Sequence, residues 1–253
     1  MSVKLLPNER IDQLYRDDIK IIQSSEVFSF SLDAVLLANF ANVKKGSKNK
    51  IIDLCAGNGA IGLFLSNKSK AKVTMVEIQS RLADMAQRSI LLNHLEKRFN
   101  VLNIPLKDSL KYIEADSVDD VVCNPPYFVN ENQSKKNPNS YLAMARHELT
   151  TNLDEILDVS QKMLKMNGKF HLVHRPDRLP EILAKMQQHR LAPKRIQFAH
   201  SRIDEEANIV LIEAIKDGKP NGMRVLKPII VYDGLEYSKE VKKLLYGTED
   251  TRK

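Results

Sequence analysis

The chain has 253 residues, 43% hydrophobic and 28% charged, and a formal net charge of +7. These proportions suit a folded globular chain of one α/β domain with a modest extension, and they exclude disorder over most of its length. No run of 18 or more apolar residues occurs, so no membrane-spanning helix and no membrane partner are expected. Met1 to Arg10 lacks the apolar core of a secretion signal, which points to the cytoplasm.

In chain order, Ile11 to Gln23 alternates around a polar Asp17-Asp18 turn and reads as a hairpin. Leu32 to Phe40 is an apolar helical stretch with Asp33 at its start, followed by a basic linker from Lys44 to Lys50. Strands then alternate with helices. Strands are expected at Ile51 to Cys55, Val73 to Glu77, Phe99 to Ile104, Val118 to Cys123 and Lys169 to His174. Helices are expected at Gly59 to Asn67, Ser80 to Leu95, Asp108 to Ala115, Asn152 to Met166 and Asp177 to Arg190. Asn152 and Glu155 cap the fourth of these, and Gly168 is its expected stop. Ile196 to His200 and Ala207 to Ile215 have no helix between them, which suggests an antiparallel pair. The pattern predicts a Rossmann-like, doubly wound α/β sheet of seven strands, mostly parallel with the last antiparallel. Residues 1–45 supply a hairpin and covering helix to this domain, 46–217 its core, and 218–253 a basic C-terminal extension.

Ligands of such sheets bind at the carboxyl ends of the strands, beside the switch in strand order. The first core strand ends in Asp53-Leu54-Cys55-Ala56-Gly57-Asn58-Gly59, and the second in Glu77, twenty residues after Gly57. Glycines let the backbone approach a ligand, and a strand-end carboxylate can accept both hydroxyl protons of a ribose. Gly57 to Gly62 also matches the G-x-G-x-x-G pattern of nicotinamide-dinucleotide sites. Asp53, able to organise the glycine loop or meet a cationic cofactor, and the preceding hairpin and helix favour S-adenosylmethionine. Asp108, after the third strand, can bond the adenine amino group or cap the following helix. Cys55 and Cys123 are expected as free thiols. With no CxxC pair, and with His171 and His174 lacking a third ligand, no metal is expected.

The fourth strand ends in Asn124-Pro125-Pro126-Tyr127. Two prolines hold the backbone extended, so the Pro125 carbonyl and the Asn124 amide oxygen can stand side by side as acceptors. Such a pair can take both hydrogens of a planar amino group and free its lone pair for attack on a methyl group. Tyr127 offers a face on which a base can stack. The plain alternative is a strand-end turn, where Asn-Pro is common.

Together, Asp53 to Gly59, Glu77 and Asn124 to Tyr127 resemble the class I Rossmann-fold methyltransferases acting on amino groups. Within these, the chain resembles the bacterial tRNA1(Val) adenine-37 N6-methyltransferase family. Phe30-Ser31-Leu32-Asp33-Ala34-Val35-Leu36-Leu37, Arg146-His147-Glu148 and Ala207-Asn208-Ile209-Val210-Leu211-Ile212-Glu213 extend the likeness over about residues 5–245. Cys55 departs from it, standing where many relatives have glycine. The resemblance implies N6-methylation of adenine in tRNA, with Asn124, Pro125, Pro126 and Tyr127 holding the target. It implies that Gly57, Gly59, Glu77 and Asp108 hold S-adenosylmethionine and that Asp33 closes the pocket, with Asp53, Cys55 and Asn124 beside the cofactor.

The stretch from Phe128 to Thr151 is too long for a simple connection. Its Lys135, Lys136, Arg146 and His147 are candidate grips for RNA phosphates. Arg175, Arg178, Arg190, Lys194, Arg195 and Arg202 are a second basic set that can extend an RNA track or be scattered surface charge. Two other readings stay open: transfer to another amino group (an rRNA base or a protein glutamine), and RNA binding without catalysis. The oligomeric state is open, with a monomer the expectation.

Overall fold

A computed structural model describes residues 3–14, 18–27, 31–127 and 151–247. Strands β1 (Glu9–Leu14) and β2 (Ile19–Ser24) form the expected antiparallel hairpin. It is tied to helix α3 (Ser80–Leu92) by Arg88, which grips Glu9 at 2.6 and 2.7 Å, and by the Ser89 hydroxyl, which accepts the Ile22 N–H at 2.9 Å. Helix α1 (Leu32–Phe40) is apolar almost all round and is buried accordingly.

The core then alternates: β3 (Lys50–Leu54), α2 (Ala60–Leu65), β4 (Lys72–Val76), α3, β5 (Phe99–Leu102), a 3₁₀ turn (Leu106–Lys111) and β6 (Val118–Cys123). After residues outside the description come α4 (Leu153–Met163), β7 (Leu164–His174), a 3₁₀ turn at Pro176–Arg178, α5 (Leu179–Gln188), β8 (Leu191–His200) and β9 (Ala207–Lys216). The strand order is β8-β9-β7-β6-β3-β4-β5. Pairing is parallel from β5 to β7, and β9 runs antiparallel to both β7 and β8. This is the expected seven-strand arrangement. Two dipeptide strands, β10 (Arg224–Val225) and β11 (Ile229–Ile230), extend it along β8.

Both faces are covered, so the strands read as nearly continuous apolar runs. Ile51, Val122, Val173 and Leu211 belong to one core layer with α1 and α2, and Ile52, Val121, Leu172 and Ile212 to the other with α4 and α5. The chain winds outward through β3, β4 and β5, then returns to place β6 on the other side of β3, pairing Leu54 with Cys123. That reversal opens a crevice above the ends of β3 and β6.

Two expectations need correction. The helix expected to reach Met166 ends at Met163, and β7 begins at once at Leu164. Gly168 therefore lies inside a strand. Pairing jumps from Val118↔Leu164 to Asp120↔Lys169, so residues 165–168 form a bulge, and Asn167 takes φ +61°. Residues after Gly218 are more than a tail. Besides β10 and β11 they form a hairpin, β12 (Tyr232–Asp233) and β13 (Glu236–Tyr237), and helix α6 (Lys239–Tyr246). Ser238 caps α6 by accepting the Val241 N–H, and Val241 is buried in the same core layer as α1.

Candidate active site

A cleft lies over the switch point between β3 and β6. Cys55, Ala56, Gly57 and Asn58 from the first core turn line it, as do Glu77 to Gln79 after β4 and Ile104 and Leu106 after β5. Asn124 and Pro126 after β6, Ala34 of α1 and Thr151 close the circuit.

Glu77 anchors the polar side. Its Oε2 accepts the Gly57 N–H and its Oε1 the Gln79 N–H, both at 2.8 Å. An ionised carboxylate offers about four acceptor sites, so capacity remains for ribose hydroxyls. Burial pushes the Glu77 carboxyl above its ordinary range, opposed by these N–H donors. Gly57 has φ +58°, and a Cβ there would meet nothing within 4 Å among the described residues beyond its chain neighbours, which leaves its main chain accessible to a ligand. Gly59, at φ +85°, is enclosed instead; a Cβ would stand 2.9 Å from the Met75 sulfur and 3.1 Å from the Ala86 Cβ. A diol acceptor beside a bare main chain and an apolar trough fits an adenosine cofactor.

Asp53 lies beneath the loop and does not line the cleft. Its Oδ2 accepts the Gly62 N–H at 2.9 Å in the first turn of α2, while Oδ1 is buried without a partner among the described residues. Burial first, and the nearby Glu77 charge, raise its pKa to about 7 against that bond. Of the two roles expected for Asp53, organising the glycine loop matches its position. Cys55 and Cys123 are free thiols. Cys55 takes φ +56°, which explains why glycine suits this position. Burial pushes the Cys123 thiol well up.

At the end of β6, Tyr127 turns its hydroxyl inward, 2.6 Å from Asn124 Oδ1 and 2.8 Å from Asp33 Oδ2. Burial, then the Asp33 charge and hydrogen bond, push the phenol well above its ordinary pKa, so it keeps its proton. Asp33 therefore meets Tyr127 and does not line the cleft; Ala34 does. The Tyr127 ring also leans on His174, centroids 5.2 Å apart and planes at 52°. His174 is fully buried, and its Nδ1 accepts the Arg175 N–H at 2.8 Å. Burial lowers its pKa to about 4, leaving a neutral ring with the proton on Nε2, which has no partner among the described residues.

Asp108 sits within the 3₁₀ turn, outside the cleft lining, with Oδ1 paired to Lys111 at 2.7 Å; Pro105 precedes that turn. His171 bonds Asp120 at 3.1 Å beneath α1. Lys135, Lys136, Arg146 and His147 fall outside the described residues. In the second basic set, Arg178 pairs with Glu181, Arg190 with Asp217, Arg195 with Glu213 and Arg202 with Glu205. Half or more of that charge is thus internally compensated. Sequence reasoning passed over Asn58, whose Nδ2 donates to the Ile22 carbonyl at 3.1 Å and joins the hairpin to the glycine loop. It also left Gln79 and His174 without a role at the site. Their signal was position alone: Gln79 follows Glu77 by two, and His174 ends the strand beside β6.

The crevice, glycine loop and strand-end carboxylate define a nucleoside-binding domain of the doubly wound α/β class. The chain belongs to the methyltransferase small domain family, whose model matches residues 18–199. A relative in Shewanella halifaxensis is 29% identical over 143 residues, 56% of either chain. Another in Aliivibrio salmonicida is 31% identical over 140 residues, 55% of this chain and 56% of that one. One in Parabacteroides distasonis is 28% identical over 183 residues, 72% of this chain and 74% of that one. All three carry the name tRNA1(Val) (adenine(37)-N6)-methyltransferase. The match spans a little over half the length of the first two relatives. In fold, the chain is similar to a predicted O-methyltransferase from Agrobacterium tumefaciens, with TM-score 0.66, 24% identity, and coverage of 85% of this chain and 96% of that one. It is also similar to geranyl diphosphate C-methyltransferase from Streptomyces coelicolor bound to S-adenosyl-L-homocysteine, with TM-score 0.55, 14% identity, and coverage of 73% and 77%.

Proposed function

We propose that this protein is an S-adenosylmethionine-dependent methyltransferase that places a methyl group on N6 of adenine in tRNA, at position 37 of tRNA1(Val). The observation that carries the reading is the corner Asn124-Pro125-Pro126-Tyr127, set at the end of β6 on the rim of the cleft lined by the Gly57 loop and Glu77. The names of the relatives in Shewanella, Aliivibrio and Parabacteroides support the substrate. The net charge of +7 suits a polyanion. Among the described residues no helix is long and apolar enough to cross a membrane, and a tRNA substrate places the reaction in the cytoplasm.

The cofactor supplies an electrophilic methyl group on a sulfonium. Glu77 and the Gly57 loop hold its nucleoside. Asn124 and the Pro125 carbonyl take the two hydrogens of the target amine, so its lone pair turns out of conjugation toward the methyl. The methylated amine is an acidic cation and loses its proton without a strong base. The test is incubation with labelled S-adenosylmethionine and unmodified total tRNA, followed by mass spectrometry of the nucleosides. N6-methyladenosine is the expected product. Label confined to protein would favour the glutamine reading, and label on another base would move the target.

A further inference from the structure

We propose that Asp33 is a positioning residue for methyl transfer: acting through the Tyr127 hydroxyl, it decides which end of the Asn124 carboxamide faces the target amine. The inference rests on the amino-methyl transfer reading above. It starts from a count of hydrogens. The Tyr127 hydroxyl stands 2.8 Å from Asp33 Oδ2 and 2.6 Å from Asn124 Oδ1. It has one hydrogen, and both neighbours are acceptors.

The carboxylate is acceptor-only and charged, so it takes the hydrogen in the stronger bond. The phenol oxygen then faces Asn124 with lone pairs alone. A half-turn of the Asn124 carboxamide exchanges its oxygen and nitrogen at nearly unchanged positions. Nδ2 then donates to the phenol oxygen, and every group in the chain Asn124 Nδ2–H to Tyr127 O–H to Asp33 is satisfied. The same half-turn carries Oδ1 away from Tyr127, on a residue that lines the cleft.

Polarity decides function here. With Oδ1 toward Tyr127, the free end of the carboxamide is an NH₂ group, which repels the hydrogens of an incoming amine. With Nδ2 toward Tyr127, the free end is the acceptor that amino-group chemistry needs. An asparagine at position 33 both donates and accepts, so it no longer selects between the two states. Asp33 is held in the first turn of α1, next to Ala34, which lines the cleft.

The test uses the full chain, a tRNA transcript and three variants: Asp33→Asn, Tyr127→Phe and the double. Asp33→Asn is expected to lower kcat by about 30-fold or more, within the range for loss of an oriented polar group. Affinity for S-adenosylhomocysteine should stay within about threefold. Tyr127→Phe breaks the relay, so adding Asp33→Asn to it should bring no further loss, the signature of residues acting in series. Near-wild-type kcat in Asp33→Asn, or losses that multiply in the double variant, would overturn the proposal. A measurement free of turnover separates its failure from that of the functional reading. In the unliganded protein, one side-chain amide proton of Asn124 is held by Tyr127, so its NMR resonance should move in both single variants. A resonance unmoved in both refutes the relay, whatever the substrate proves to be.

Discussion

Glu77 Oε2 accepts the Gly57 N–H at 2.8 Å, joining the end of one parallel strand to the glycine turn of its neighbour. The bond makes this carboxylate a brace for the loop, and on the proposed reading the same group accepts both ribose hydroxyls of the cofactor. Glu77→Gln keeps one acceptor oxygen but turns an NH₂ group against an N–H donor. Affinity for S-adenosylhomocysteine should fall by about 10- to 100-fold, as expected when a buried polar contact is lost and a donor is left unpaired. Isothermal titration reads this directly; unchanged affinity would remove Glu77 from the cofactor site.

The two loop glycines should respond differently to alanine. Both have positive φ and carry a backbone penalty of roughly 1–2 kcal/mol. Gly57→Ala adds no clash among the described residues, so its main effect should be weaker cofactor binding. Gly59→Ala also presses on Met75 and Ala86 and should lose more stability, about 2–4 kcal/mol in all. Urea unfolding beside cofactor titration distinguishes the two. Equal stability losses would show that the enclosure of Gly59 is unimportant.

Asp53 makes a pH prediction. Its pKa in the fold is about 7, against an ordinary carboxylate value of 3.8. The folded state therefore holds a proton that the unfolded chain has released, and stability falls as pH rises between these values. The stabilising contribution is complete below about pH 4 and lost once pH passes about 7. Asp53→Asn keeps an acceptor for Gly62 and cannot titrate. The stability difference between variant and wild type should grow in the variant's favour from pH 5 to pH 7.5, then level off. A difference independent of pH would refute the assignment.

On the proposed reading, Asn124→Ala removes an acceptor of the target amine and leaves the Glu77 side of the cleft intact. Methyl transfer should drop by about 10²- to 10³-fold. Cofactor affinity should change little, as read by the same titration. Full activity would end the catalytic role given to Asn124.

Much of this architecture was legible from local pattern. Apolar runs such as Ile51 to Leu54 and Val118 to Cys123 read as buried parallel strands because sheets covered on both faces tolerate little polarity. Gly57, Glu77 and Asn124 follow strand ends, where open parallel sheets expose backbone to ligands. Short-range chemistry misjudged the passage from α4 into β7, because pairing of Leu164 with Val118 of β6 ends the helix that the local pattern would carry on to Met166. The role of the C-terminal stretch was hidden for a similar reason: Val241 and Ile229 acquire meaning only against partners far away in sequence.

The amino-acid order by itself determined the kind of fold, the nucleoside loop and the proline-locked corner, since each is written in neighbouring residues whose backbone preferences act locally. Only the tertiary structure decided that Asp33 meets Tyr127, that Asp53 lies under the loop, and that His174 packs against Tyr127. These are contacts between distant segments, and they follow from how α1 and the strand ends pack, which no local pattern encodes.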